Sequence, residues 1–247
     1  LEFMATHGIL ECFGKQDKWF TGVTCTDGAG SPRTGIYADC TDDNMKVIRQ
    51  GEQKVAARIG RYSAVVQLMY SSKAIKDPKN SDPANDLVEI MKAAKPEAVY
   101  THNPADKHAT HVAVALNVIK AVRRLPKEER PKKIYGTELW RSLDWMPDKK
   151  KVVLDVGGRD HLVASLAGVH DSQIAGGKRY DLALMGRIKS NATYLDSHAV
   201  DVLENALYSM DLTPLAQDDT LDVTDYVLGL VDEFKSAVKD QIAALQG

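Results

Sequence analysis

The stretch Tyr100-Thr-His-Asn-Pro-Ala-Asp-Lys-His-Ala-Thr-His111, running on into Val112-Ala-Val-Ala-Leu-Asn-Val-Ile119, decides the reading of this chain. It holds three of the seven histidines. The residues before it, Glu97-Ala-Val-Tyr, read as a short buried strand, and Asn103-Pro104 marks a turn. Val112, Leu116, Ile119 and Val122 then recur at helical spacing. His108 and His111 are three apart in the first turn of that helix and share a face. Strand, turn and helix start together place paired histidines at the carboxyl edge of an α/β sheet, where such folds bind ligands. Spacing alone does not make a metal site, because a catalytic zinc takes three protein ligands. Two histidines at this spacing are also compatible with ordinary surface or capping groups.

Working outward, 247 residues with a net charge of −2 suffice for one large α/β domain. The pI near 6.4 gives no electrostatic case for nucleic acid or an anionic membrane. No apolar run reaches the roughly 18 residues of a membrane span. Cys12, Cys25 and Cys40 are odd in number and lack metal-finger spacing, so they read as reduced thiols of a cytoplasmic protein.

Upstream, Phe3, Ile9, Leu10 and Phe13 are spaced as on a helix with no capping residue ahead of it. The expectation is that a strand and loop precede this helix, vector sequence ahead of Met4 being the alternative. Trp19 to Cys25 reads as a strand. The glycine-rich loop Thr26-Asp-Gly-Ala-Gly-Ser-Pro-Arg-Thr-Gly35 comes after it. The loop lacks the Lys-Ser/Thr of a phosphate loop and the spacing of a dinucleotide fingerprint, so a substrate-facing role is favoured. Asp42 to Gly60 reads as a helix capped by Asp42 or Asp43. On it, Arg49 either pairs with Glu52 or points into the site toward a polar substrate. Ser63 to Tyr70 is a strand, Ser72 to Asp82 a loop, and Asp86 to Ala94 a short helix ended by Pro96.

Downstream, Arg123 to Lys133 is a solvated charged connection whose interleaved acids speak against a nucleic-acid patch. Lys133 to Thr137 and Lys151 to Asp155 read as strands, and Arg159 to Ala167 as a helix. Trp140 and Trp145 fit core packing better than a sugar-stacking wall. A lone histidine such as His170 reads as structural. Tyr226, Leu230, Phe234, Val238, Ile242 and Leu245 mark an amphipathic helix over about 222–246, packed on the body or on a partner. Strands alternating with helices predict a single α/β domain over 1–247: a Rossmann-like, mostly parallel sheet with helices on both faces.

Four motifs in this order, Thr26-Asp-Gly-Ala-Gly30, Ile48 to Gly60, His102 to His111 and His170-Asp-Ser-Gln173, resemble the LmbE-like, PIG-L-type zinc deacetylases. The resemblance covers roughly residues 1–190, and the paired-histidine motif is its most specific part. It implies a Rossmann-like fold and removal of N-acetyl groups from glucosamine-type sugars. That family opens with a strand ending in His-x-Asp-Asp, which supplies two zinc ligands and the general base. Leu1-Glu2-Phe3 resembles the residues directly after those two aspartates, so the expectation is that this motif lies upstream. On the matching positions, the resemblance makes His111 the third zinc ligand and His108 the protonated group beside the oxyanion. Thr110 stands where the family often has an aspartate, and Asp106 is expected to take over its orienting role. Arg49, Asp27 and His170 are the implied substrate contacts.

The leading expectation is therefore a zinc-dependent hydrolase that removes an N-acyl group from an amino sugar or a related small molecule. It would be cytoplasmic, without nucleic-acid partners, and a candidate homo-oligomer. One alternative is a non-catalytic carbohydrate- or nucleotide-binding α/β protein derived from such enzymes. Another is an assembly domain that uses its terminal helix.

Overall fold

The computed structural model describes residues 1–246. The chain opens with α1 (Glu2–Cys12), β1 (Thr21–Thr26), α2 (Asp42–Ile59) and β2 (Ala64–Tyr70). Next come α3 (Ser72–Lys76), α4 (Asp82–Ala94), β3 (Ala98–His102), α5 (Ala109–Arg123) and β4 (Lys133–Thr137). After β5 (Lys151–Asp155) and α6 (Asp160–Gly168) lie the short α7 (Asp171–Gln173), α8 (Tyr180–Asn191) and β6 (Ala206–Asp211). The chain closes with α9 (Thr213–Gln217) and α10 (Val223–Gln246).

The α/β class expected from the sequence is what the chain forms. Its ladders are more mixed than a mostly parallel sheet. β1 pairs with β2 and β3 with β4 in parallel, whereas β6 runs antiparallel to both β4 and β5. The strands fall into a two-stranded sheet β1-β2 and a four-stranded sheet in the order β3-β4-β6-β5. The segment Ala206-Leu-Tyr-Ser-Met-Asp211, which sequence patterning does not reveal, is thus an inner strand. Its first five residues are buried, as a strand covered on both faces requires.

Helices cover both faces. One core gathers Leu87, Val88 and Met91 of α4, Val118 and Val122 of α5, and Leu215 and Leu230. The other gathers Phe3 and Met4 of α1, Val163 of α6, and Leu184 and Ile188 of α8. Helix α1 touches both sheets. A Cβ on Gly22 of β1 would lie 2.8 Å from Leu1, and one on Gly8 of α1 would lie 2.6 Å from the Tyr100 ring of β3. Neither position has room for a side chain.

Local chemistry corrects several boundaries. Helix α2 is capped by Thr41, not by Asp42 or Asp43. Its Oγ1 accepts from the Asn44 amide at 3.1 Å, while Asn44 Oδ1 accepts from the Thr41 amide at 3.3 Å. The two aspartates instead occupy the first turn, where the helix dipole favours anions. Part of the expected loop 72–82 is α3, whose N-cap Ser71 accepts from the Ala74 amide. Helix α4 starts at Asp82 with a proline in its first turn, a position that needs no amide donor.

Gly136 in β4 sits where the core meets the paired-histidine turn. A Cβ there would lie 2.7 Å from Leu212 Cδ1 and 3.1 Å from Asn103 Cβ. Leu212 and Asn103 are both fully buried and have nowhere to retreat. Gly136→Ala is expected to destabilise the fold by about 1–3 kcal/mol. The check is a lower urea midpoint at unchanged slope.

Candidate metal centre and its buried support

Asn103, immediately after β3, begins the turn. Its Oδ1 accepts from the Ala105 amide at 2.8 Å, the Asx turn that an Asn-Pro pair favours. The turn delivers Asp106, whose side chain has no exposed surface. A buried carboxylate must be partnered. Asp106 Oδ1 accepts from the His108 amide at 2.8 Å, and Oδ2 accepts from His111 Nδ1 at 3.0 Å. Burial would raise the Asp106 pKa. The His111 hydrogen bond and charge, the His108 amide and the charge of His102 outweigh that and hold it low.

His108 is the N-cap of α5 and His111 lies in its first turn. Donation from Nδ1 to Asp106 leaves the His111 Nε2 as a free acceptor, the form a metal needs. His102, at the end of β3, stacks on His111 with ring centroids 3.9 Å apart and planes 4° apart. His102, Asp106 and His111 each offer a ligand atom, and these atoms lie within 4.8 Å of one another. The His102 Nδ1 is buried and has no hydrogen-bond partner. Burial, then the charge of His111, push the His102 pKa well down, so its ring is neutral and able to ligate. The imidazole and carboxylate donors and the orphaned nitrogen fit a zinc-type cation.

Two features differ from what the resemblance implies. The Asp106 carboxylate holds the His111 ring and the His108 backbone, not the His108 ring. The His108 ring stands 4.7 Å from that of His111, and burial and then the His111 charge lower its pKa. Its neutral form is favoured until an anion comes near. Thr110 is nearly buried.

The remaining candidates form a second cluster. Arg49 pairs with Glu52 at 3.4 Å, and its Nε is buried without a partner. It lies against Gly28, where the backbone has a φ of +74° that a side chain would strain. Asp27 closes its own loop by accepting from the Ala29 amide at 3.1 Å. His170 is set inside the body, 5% exposed, where it touches two carboxylates. Its Nε2 donates to Glu2 Oε2 at 2.9 Å, and its Nδ1 lies 3.9 Å from Glu52 Oε2. Glu52 also accepts from the Ser172 amide and hydroxyl. Glu2 accepts further hydrogen bonds from Gln53 at 2.6 Å and Tyr62 at 2.9 Å. This network ties α1, α2 and α7 together. Trp140 and Tyr180 sit with ring centroids 5.0 Å apart, whereas Trp145 packs on the opposite core and Arg187 is paired with Asp144.

Sequence reasoning missed Glu2 and Glu138 as parts of this region. Glu138 is fully buried one residue beyond β4, where it accepts from Asn103 Nδ2 and from the Trp140 and Arg141 amides. Burial, and then the charge of Asp106, raise its pKa. The available signal was an acid directly following a strand.

Residues 2–122 match the family model described as PIG-L: GlcNAc-PI de-N-acetylase. No curated protein matches the chain. Among solved structures, the N,N'-diacetylchitobiose deacetylase from Pyrococcus horikoshii is similar at 16% identity and a TM-score of 0.59, over 84% of this chain and 79% of that one. GalB, the 4-carboxy-2-hydroxymuconate hydratase from Pseudomonas putida, is similar at 15% identity and a TM-score of 0.64, over 85% and 91%. The A40926 pseudoaglycone deacetylase Dbv21 is similar at 12% identity and a TM-score of 0.57, over 85% and 91%. At these identities the likeness establishes the fold, which hosts a hydratase as well as deacetylases. No helix among the described residues is long and apolar enough to cross a membrane.

The two depressed carboxylates and the raised histidine fix a pH signature. Burial lowers the His170 pKa, but the hydrogen bond to Glu2 and the nearby Glu52 carboxylate outweigh it and raise the value. Its contribution to stability is complete below about 6.5 and fades as pH rises through the folded value. Glu52 is lowered, with burial opposed by His170 and Ser172. Glu2 is lowered too, with burial opposed by His170 and Gln53. Their contribution is present above the ordinary carboxylate value of 4.5 and fades as pH falls. His170→Ala, which removes the imidazole paired with the buried Glu2 carboxylate, is expected to cost about 3–5 kcal/mol. In urea unfolding, the gap between parent and variant should narrow as pH rises from about 6 toward 9.

Proposed function

We propose, on the premise that residues 2–122 are a PIG-L (LmbE-like) segment, that the chain is a zinc-dependent hydrolase removing an N-acyl group from an amino sugar or similar small molecule. The family description supports a deacetylase-type function. The observation that carries the metal dependence is the His102, Asp106 and His111 cluster with its orphaned buried nitrogen.

In this reading His111 is a zinc ligand through Nε2, with the neutral His102 ring beside it. When bound, zinc supplies Lewis acidity toward an amide carbonyl and lowers the pKa of water toward about 7. Asp106 fixes the His111 tautomer from behind. His108 faces the reacting amide. There it takes up a proton as negative charge develops on the carbonyl oxygen and passes it to the leaving amine. Its lowered pKa keeps that proton mobile. Arg49, with its unpartnered Nε, and Asp27 are the substrate contacts. The reading takes its general base from the family's His-x-Asp-Asp motif, which none of the described residues matches. A reducing, cytoplasmic setting belongs to it too, supported by the three free thiols Cys12, Cys25 and Cys40.

A second reading, a non-catalytic carbohydrate- or nucleotide-binding protein, is favoured by one feature. Thr110 replaces the family's aspartate, and no carboxylate reaches the His108 ring. Acetate release from N-acetylated amino sugars separates the two readings.

On the hydrolase reading, His111→Ala loses the metal, read as zinc per chain on a sample of verified intact mass. His108→Gln keeps the metal and lowers kcat by about 10²–10⁴. Asp106→Asn weakens metal affinity by about 10–100-fold. Zinc retained with full activity in His111→Ala would overturn the reading.

A further inference from the structure

Helix α10 is docked on the body only at its base. Leu230 is buried, Val223, Tyr226 and Val227 pack on the core beside it, and Glu233 pairs with Lys150 at 3.4 Å. From Val231 to Gln246 every residue is exposed. Apart from that one exposed ion pair, those sixteen residues make about 24 Å of helix without tertiary support. A helix of that length is marginal in water, and most helical stability in proteins comes from packing an apolar face.

The unsupported part has such a face. Val231, Phe234, Val238, Ile242 and Leu245 are 38%, 38%, 40%, 51% and 82% exposed. At about 100° per residue they fall within an arc of about 80°. Lys235 and Lys239 flank the stripe on one side, and Ala237, Gln241 and Ala244 flank it on the other.

The steps along the stripe are three, four, four and three, the same read from either end. A two-fold pairing needs a self-complementary patch. An antiparallel pair centred on Val238 sets Val231 against Leu245, Phe234 against Ile242, and Val238 against its own copy. Each larger side chain then meets a different one across the seam. The alternative parallel pair stacks Phe234 on Phe234 and Leu245 on Leu245, and crowds both bodies at one end. The antiparallel pair sends the bodies to opposite ends. We propose that the exposed part of α10 is a self-association helix, and that its partner is the antiparallel α10 of a second copy of this chain.

The geometry carries an electrostatic signature. A two-fold axis through Val238 keeps the lysine edges of both helices on the same side, so Lys235 and Lys239 of each copy face those of the other. Ala237 and Ala244, with the uncharged Gln241 between them, line the opposite edge and set no charge there. Screening by salt relieves like-charge repulsion, so added sodium chloride should tighten this dimer.

The test uses the full chain in sedimentation velocity over a dilution series. The expected result is a reversible monomer–dimer equilibrium that shifts toward dimer with salt. Val238→Asp should leave only monomer at concentrations where the parent dimerises, and Ser236→Asp, on the opposite face, should leave the equilibrium unchanged. Under mild oxidation, Val238→Cys should give a 238–238 disulfide confirmed by peptide mass. Val231→Cys should not, because its two copies would stand about 21 Å apart. Monomer at every concentration, cross-linking of Val231→Cys as readily as Val238→Cys, or a dimer untouched by Val238→Asp would overturn the proposal. None of these readouts depends on catalytic activity, so the proposal stands or falls apart from the hydrolase reading.

Discussion

Asp106 has to be ionised in a place that water does not reach, and much of the local architecture follows from that requirement. Its two oxygens need donors, and the chain supplies them from one tight turn: the amide of His108 and the imidazole of His111. The Asx turn at Asn103 sets the approach, and Asn103 in turn anchors on Glu138 beyond the neighbouring strand. Gly136 leaves the space for that packing. A carboxylate so held orients a ligand imidazole at little entropic cost, because its own rotamer is already fixed. Glu138, pushed toward its neutral form, avoids setting a second buried negative charge beside the first.

The Glu2, His170 and Glu52 network solves the same problem differently. One imidazole set between the buried Glu2 and the partly buried Glu52 leaves a net negative charge, which Arg49, Tyr62, Gln53 and Ser172 spread over further hydrogen bonds and an ion pair. Such networks hold geometry more than they add stability, since desolvation offsets much of the attraction. Here the geometry held is the junction of α1, α2 and α7. Arg49 is thereby fixed at one end, with its Nε still unpartnered.

The paired histidines, their helix and the strand before them were legible because each has a local signature: an Asn-Pro turn, a helical apolar period, and a short apolar run. The α/β class came from the alternation of elements. Strand β6 was not legible, because Ala206-Leu-Tyr-Ser-Met210 is covered on both faces and shows no period of two. Its position between β4 and β5 then changed the sheet from mostly parallel to mixed. His102 was visible as a residue but not as a neighbour of His111, because their stacking depends on how the turn folds back. Glu2 was read only as part of the segment that resembles the residues after a family motif, and Glu52 only as a surface partner for Arg49. Burial against His170 made them special, a contact of α1 and α2 with a segment more than a hundred residues away.

The late arrival of β6 has a consequence for how the protein is made. β4 and β5 are not neighbours, and β5 finds its hydrogen-bonding partner, and β4 its second one, only in a strand that begins about fifty residues after β5 ends. At ribosomal speeds of about 5–20 residues per second, the interval is on the order of 3–10 s. Throughout it, one edge of β4 and the whole of β5 lack their final partner. The charged residues at the start of β5, Lys149-Lys-Lys151, then lie next to an open strand edge, where lysines discourage pairing with a foreign chain. A basic run that ties β5 to α10 and Tyr208 in the finished molecule is thus placed to guard the nascent one.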